Sequence, residues 1–185
     1  MNRSTLRALE SMALFLGLLI LVAQTRAEPA KVPTPSELAG DYAYAGQREK
    51  DEAAIKAKVD AATADMSRMV SKRAMPRLES TTQIPQKVMI AHQGSSVTFK
   101  MDDHVVTVPE QGGSVPVTTP LGETADASLD VKTATLLQSV AKTGGQKRNA
   151  FRFNAAGQLV MDVRITNSKL ASPVTFSLVY ARVNP

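Results

Sequence analysis

Two histidines are the residues best suited to acid–base or metal chemistry in this sequence, which contains no cysteine. His92 and His104 both lie near the ends of predicted strands, and His104 directly follows Asp102 and Asp103. A metal site needs three or four converging ligands, whereas adjacent residues in a tight turn point apart. An Asp-Asp pair is also common in turns, because aspartate tolerates their backbone angles. We therefore predict no metal, no cofactor and no catalytic role for either histidine.

The glycine-containing segments do not match known catalytic or phosphate-binding motifs. A serine hydrolase of the nucleophile-elbow type places its serine between a strand and a helix, but Ser95 and Ser114 each lie between two predicted strands. A phosphate-binding loop precedes a helix, but Gly112-Gly113 and Gly144-Gly145 each precede a strand. The sequence therefore predicts a protein that is not an enzyme, with a hydrolase as a distant alternative.

Arginines in two neighbouring predicted strands suggest a different kind of site. If Arg152 and Arg164 lie across from one another, they offer a positive surface to an anionic ligand or a lipid head group. Like charges directly opposite each other destabilise a sheet, so we expect Asp162 to lie between them. The alternative, which we favour, is an ordinary solvent-facing surface of mixed charge.

The elements that position these residues are clearest at the end of the chain, from Asn149 to Arg182. Apolar and polar residues alternate there in three segments, and this period of two predicts strands with one apolar face each. Short connections predict an antiparallel meander. A hairpin over residues 96–108 and further turns bring the total to nine or ten strands, at the spacing typical of a barrel or sandwich.

One segment has a helical period instead. Gln47 to Arg73 contains no Gly or Pro, and Pro76 is expected to stop the helix soon after. This predicts an amphipathic helix of about 25 residues at a period of 3.6, packed on the sheet. Its apolar stripe consists of Ile55, Val59, Ala62, Met66, Met69 and Val70.

Six segments of the chain carry a resemblance to known proteins: Leu38 to Gly46, Thr119 to Glu123, Phe151 to Phe153, Gly157 to Leu159, Ile165 to Leu170 and Pro173 to Arg182. In these segments the chain resembles uncharacterised bacterial secreted proteins that combine a Tyr-x-Tyr start, one amphipathic helix and a lipocalin-like β-meander. The resemblance implies a fold and a compartment, and it brings no activity with it.

The N-terminal residues have the pattern of a signal peptide. Arg3 and Arg7 precede an apolar run from Met12 to Val22, and Ala27 ends a fair cleavage site. The run is too short for a comfortable transmembrane helix, so we predict an exported, periplasmic or secreted protein without a transmembrane span in its mature chain. An uncleaved N-terminal anchor is the alternative.

We therefore predict an α+β, mainly β fold: one amphipathic helix packed on a curved antiparallel sheet or lipocalin-like partial barrel, after a signal peptide. The predicted organisation is a signal peptide at 1–27, an extended linker at 28–37 and a single helix-plus-meander domain at 38–185. The chain has a net charge of +5 but no basic stripe with interleaved aromatic residues, which argues against a nucleic-acid partner.

Our leading functional hypothesis is a non-enzymatic envelope protein that binds a small apolar ligand or lipid between helix and sheet. The alternative is a structural or protein-interaction module of the cell envelope, whose sheet interior is filled by its own aromatic residues and methionine. The predicted apolar pocket consists of Met66, Met69, Phe151, Phe153, Met161, Phe176 and Tyr180.

Overall fold

Ten antiparallel strands dominate the computed structural model, which describes residues 32–140 and 144–183. Three helices accompany the strands among these residues. The strands are β1 (Gly40–Tyr44), β2 (Lys87–Gln93), β3 (Ser96–Met101), β4 (His104–Pro109), β5 (Ser114–Thr118), β6 (Thr124–Asp130), β7 (Thr135–Val140), β8 (Gly145–Phe153), β9 (Leu159–Thr166) and β10 (Val174–Arg182). The helices are α1 (Pro35–Leu38), α2 (Arg48–Thr63) and α3 (Arg68–Thr82).

The strands form one sheet in the order β4-β3-β2-β1-β10-β9-β8-β7-β6-β5. The two ends of this order approach each other, because β4 contacts both β5 and β6, so the sheet nearly closes into a barrel. The first strand joins the two halves: Tyr42 lies opposite Val88 of β2 on one side and Arg182 of β10 on the other. The predicted mainly β fold with a curved antiparallel sheet is confirmed, as are the 96–108 hairpin and the final meander.

The barrel has a filled end and an open end. The filled end lies at the β2–β3 turn, where Val97 and Val108 are fully buried and the rings of Phe99 and Phe151 stack with centroids 5.2 Å apart. The open end lies at the β3–β4 and β5–β6 turns. Alternating side chains from all strands converge inside, so one face of every strand forms a shared core.

Two helices stand where we predicted one. The chain leaves helical geometry at residues 64–67, and Ser67, in an extended conformation at the N-cap position, begins α3. The predicted stripe is buried only in α2, at Ile55, Val59 and Ala62. Here α2 packs beside β10, and the Ala171 amide donates to the Ala62 carbonyl at 3.0 Å.

The prediction that Pro76 stops the helix is also wrong, because Pro76 lies inside α3. Proline cannot donate the amide hydrogen bond of its position, but a helix can continue past it with a local interruption. The last turn is reinforced by side chains, since the Thr81 and Thr82 hydroxyls donate to the carbonyls of Arg77 and Leu78 at 2.6 and 2.7 Å.

The segment predicted as an extended linker is 28–37, of which the structure describes residues 32–37. The first three residues of α1, 35–37, are helical there. Thr34 and Glu37 form a capping box, with the Glu37 amide donating to Thr34 Oγ1 at 3.3 Å and the Thr34 amide to Glu37 Oε2 at 2.8 Å. The predicted signal peptide, 1–27, lies outside the described residues. Across the part of the chain that is described, no helix is long and apolar enough to cross a lipid bilayer.

Candidate functional site

A cavity of about 1180 Å³ lies between α3 and the open end of the barrel. Its walls come from α3, from the β3–β4 and β5–β6 turns and from the residues that follow β9. Its floor consists of inward-facing residues of β4, β7, β8 and β9. The apolar part of the lining includes Met66, Val70, Leu78, Met101, Ile165 and Leu170.

The barrel is hollow at this end because the inward-facing side chains change from apolar to polar along the strands. On β7, Leu136 faces the filled end and Gln138 the open end. On β8, Phe151 occupies the filled end, whereas Lys147 occupies the open end and borders the cavity. Aromatic and aliphatic side chains therefore pack one half of the interior, and polar side chains leave space in the other.

Three polar side chains lie at the floor: Lys147, Gln138 and His104. Lys147 Nζ donates to the Thr81 carbonyl at the end of α3 at 2.8 Å, and Gln138 Nε2 lies 3.3 Å from His104 Nε2. Asn149, also on the inward face of β8, is fully buried and does not line the cavity. Among the described residues, the acceptor of its Nδ2 is the Met101 sulfur, at 3.9 Å, and its Oδ1 has no partner, which is uncommon for a buried polar group.

Burial perturbs two of these groups. It lowers the pKa of Lys147 from 10.5 to about 8, because an ammonium loses hydration away from water. Burial also lowers the pKa of His104, and the nearby positive charge of Lys147 lowers it further. The floor is thus a desolvated, potentially cationic surface.

The carboxylates that line the cavity are occupied elsewhere or lie at its rim. Both oxygens of Asp102 accept backbone amide hydrogen bonds from Gln86, at 3.0 and 3.1 Å. Glu123 forms an ion pair with Arg77 at 2.6 Å, and Asp103 is exposed in the β3–β4 turn. Within the described ranges, no ion pair joins Lys147 to any carboxylate.

Two of the seven residues of the predicted pocket line this cavity. Met66 and Met69 lie at its rim, where Met69 is 72% exposed. The prediction expected both on a buried helix face, but the break before α3 turns Met69 towards solvent.

The other five predicted residues do not line it. Phe151, Met161 and Tyr180 are packed in the core, Phe153 is partly buried against it, and Phe176 borders a separate concavity of about 450 Å³. The alternation of β8–β10 indicated the inward face for all five, and the structure agrees, but alternation does not give a residue's position along the barrel axis. The structure therefore does not bring the seven together in one pocket.

The floor residues were missed, although one signal for them was present. Lys147 stands in the same alternation as Asn149, Phe151 and Phe153, on the face that points inward. A lysine in line with an apolar strand face is an unusual position, since lysine is almost never fully buried unless it is paired.

A second polar chain lies at the filled end of the barrel. His92 Nε2 is 2.8 Å from Glu110 Oε2, and His92 Nδ1 is 3.0 Å from Ser36 Oγ. Hydroxyl, imidazole and carboxylate in series also occur in acyl-transfer enzymes. Here Ser36 is exposed on α1, and the three residues lie outside both cavities described above. We interpret the chain as a link that holds α1 to β2 and β4.

The arginine arrangement differs from the prediction. Arg148, not Arg152, lies directly opposite Arg164, and Arg152 lies opposite Val160. Asp162 forms an ion pair with Arg152 at 2.7 Å. Among the residues that the structure describes, no group of three or more histidines and carboxylates is placed to hold a metal ion.

No family model and no curated protein matches this chain. Among solved structures, it is similar to a Schistosoma mansoni fatty acid binding protein in complex with arachidonic acid. The match has a TM-score of 0.45 and 13% sequence identity, and it covers 82% of this chain and 100% of that chain.

Proposed function

We propose that this protein is a non-enzymatic binding protein that holds one small apolar or amphiphilic ligand in the cavity beneath α3. The observation that carries the proposal is the cavity itself, about 1180 Å³ of space with a largely apolar lining at the end of an otherwise filled barrel. Ligand pockets of proteins typically measure roughly 300–1,000 Å³ and combine apolar walls with a few polar groups.

The energetics favour an alkyl chain as part of the ligand. Each CH₂ group removed from water contributes about 0.8 kcal/mol. Met66, Val70, Leu78 and Leu170 line the cavity and offer such a chain apolar contacts. Methionine suits this role because its unbranched, polarizable side chain adapts to irregular ligand shapes.

The helix α3 is suited to act as a lid. One exposed ion pair, Arg77–Glu123, and one hydrogen bond from Lys147 tie it to the far side of the cavity. Leu78 and Thr82 are its buried residues. Exposed ion pairs contribute at most about 1 kcal/mol, so separating α3 from the β5–β6 turn costs little. A ligand can then enter without unfolding the barrel.

A cavity-filling substitution tests the proposal. Ala74→Trp places an indole in the cavity from α3, and we expect it to weaken binding of a fluorescent C18 fatty acid at least about tenfold, since it removes burial of several CH₂ groups. Ala53→Trp, on the exposed surface of α2, is the matched control and should bind as the unmodified protein does. Equal binding by both variants, or none by the unmodified protein, would contradict the proposal.

A protein-interaction module remains the second candidate, because two features favour it. The closed half of the barrel is filled by its own side chains, and apolar residues are exposed at the cavity rim, Met69 at 72% and Leu121 at 44%. Exposed apolar surface at a rim is typical of sites that contact another molecule. A defined assembly on a sizing column that Met69→Lys disperses would support this candidate.

Export is part of the proposal and rests on the N-terminal sequence. Arg3, Arg7 and the apolar run from Met12 to Val22 have the pattern of a signal peptide. Intact-mass measurement of protein expressed in a bacterial host should give a chain that begins at Glu28 in the periplasmic fraction. A chain retained in the membrane fraction at full length would favour the uncleaved anchor.

A further inference from the structure

We infer that the ligand is an amphiphile with one anionic head group, and that this head group enters first and is bound by Lys147 at the cavity floor. The inference rests on the proposed function and specifies the ligand class for the same cavity. It is carried by the position and the unmet bonding capacity of the floor residues.

Lys147 stands on an inward-facing position of β8, directly opposite Ile165 of β9 and Gln138 of β7. Its side chain is half-buried and borders the cavity. The apolar rim residues lie above it, on α3 and the β5–β6 turn. An amphiphile in this cavity therefore places its polar end at the floor and its chain along the wall.

The lysine has bonding capacity to spare. Its ammonium carries three donors, and among the described residues the Thr81 carbonyl is the acceptor of one of them. A desolvated ammonium without a counter-charge is unfavourable. Its lowered pKa, about 8, reflects the same deficit. A bound carboxylate or phosphate would supply both the missing acceptors and the missing charge.

The charged groups around the cavity fit an anion better than a cation. The two polar neighbours of Lys147 in the lining, Gln138 and His104, contact each other at 3.3 Å. The ionisable residues that line the cavity are mostly cationic: Lys72, Arg73, Arg77, Lys147 and Lys169 against Asp102, Asp103 and Glu123. Asp102 accepts hydrogen bonds from backbone amides, and Glu123 pairs with Arg77. Neither carboxylate therefore pairs with the Lys147 ammonium.

A purely structural role for Lys147 is the alternative explanation. Lysines often bond the last carbonyls of a helix, as Lys147 does for α3. That role uses one donor and needs no desolvated site, since an exposed lysine performs it as well. It also leaves two of the three ammonium donors without an acceptor among the described residues.

Three ligands with the same chain separate head-group recognition from chain burial: oleate, oleyl phosphate and oleyl alcohol. We measure their affinities at pH 7 by calorimetry for the unmodified protein, Lys147→Met and Lys100→Met. Lys100 is exposed on β3 and does not line the cavity, which makes it a matched control. A charge-assisted hydrogen bond contributes roughly 1.5–3 kcal/mol, so an anionic head should raise affinity about ten- to a hundredfold over the alcohol.

The inference predicts that Lys147→Met abolishes this preference while the alcohol binds unchanged, and that Lys100→Met preserves it. A preference for oleyl phosphate over oleate, or the reverse, identifies the head group. The inference is overturned if the unmodified protein binds the alcohol as tightly as both anions, or if Lys147→Met keeps the preference. Binding of none of the three by the unmodified protein overturns the proposed function as well.

Discussion

At the scale of single residues, Lys147 is the group on which the proposed recognition of an anionic head group depends. Its amine sits at the floor of the cavity, and burial lowers its pKa from 10.5 to about 8. The unfolded chain therefore binds this proton more tightly than the folded protein does. The free energy of unfolding therefore rises with pH between about pH 8 and 10.5, as Lys147 loses its proton. Below pH 8 the amine is protonated in both states, and the destabilisation caused by burying its charge is at its maximum.

We expect this contribution to appear as a difference between variants. Lys147→Met should be more stable than the unmodified protein at pH 7, and the difference should shrink as pH rises to 10. Urea unfolding at a series of pH values measures it, with Lys100→Met, exposed on β3 and outside the cavity lining, as a control that shows no such trend. A difference independent of pH would contradict the account.

Other charged and titratable groups also border the cavity and act on the titration of Lys147. They are Lys72, Arg73 and Arg77 on α3, Asp102, Asp103 and His104 at the β3–β4 turn, Glu123 at the β5–β6 turn and Lys169 after β9.

The link at the filled end makes a separate prediction. His92→Ala removes both hydrogen bonds, to Ser36 and to Glu110, and should lower the free energy of unfolding by about 1–3 kcal/mol. Ligand affinity should not change, because the link is remote from the cavity. Ser96→Ala, which removes one hydrogen bond to the Gln93 carbonyl in the adjacent turn, is the control. A loss of binding with unchanged stability would give His92 a functional role that the geometry does not assign.

At the scale of elements, the proposed lid α3 has a proline in its interior. Pro76 interrupts its hydrogen-bond ladder in the middle. Pro76→Ala restores an amide donor there, so we expect a stiffer helix, a melting temperature higher by a few degrees for about 1 kcal/mol, and slower ligand release. Stopped-flow displacement of a fluorescent fatty acid measures the release rate. Ala53→Ser on α2 serves as a helix control. Unchanged release from a stabilised variant would show that α3 does not gate the cavity.

Sequence patterns predicted the strands well and the helices incompletely. The alternation of Leu159 to Ile165 and of Val174 to Tyr180 sets which side chains face inward, and the structure agrees. The break between α2 and α3 depends on Ser67, whose signal as a helix start is weak beside a continuing apolar stripe. Such local signals cannot show whether a helix continues when tertiary packing supports either outcome.

At the scale of the whole molecule, the two ends of the barrel differ in packing. The filled end supplies stability through Phe99 and Phe151, which stack, and the open end keeps a cavity. The contrast between the two ends was not predictable from period alone, because alternation gives the face of a strand but not the depth of a residue. The approach of β4 to β5 and β6 is equally a product of long-range packing.

This difference in packing predicts that substitutions at the filled end lower stability, whereas substitutions at the open end lower ligand affinity. Phe151→Ala should lower the free energy of unfolding by about 3–5 kcal/mol, since it leaves a hole beside Phe99. Ligand affinity, measured under conditions where the variant is still folded, should change far less than in Ala74→Trp. If Phe151→Ala instead abolished binding while it remained folded, the ligand would have to reach the filled end.

Native mass spectrometry of the protein, purified without added ligand, shows directly whether the cavity holds a ligand. The account predicts one bound mass per chain that disappears under denaturing conditions, that Ala74→Trp loses and that Ala53→Trp retains. A bare chain that also fails to take up oleate, oleyl phosphate and oleyl alcohol would contradict a binding function for this cavity. It would leave the filled-core interaction module as the better account.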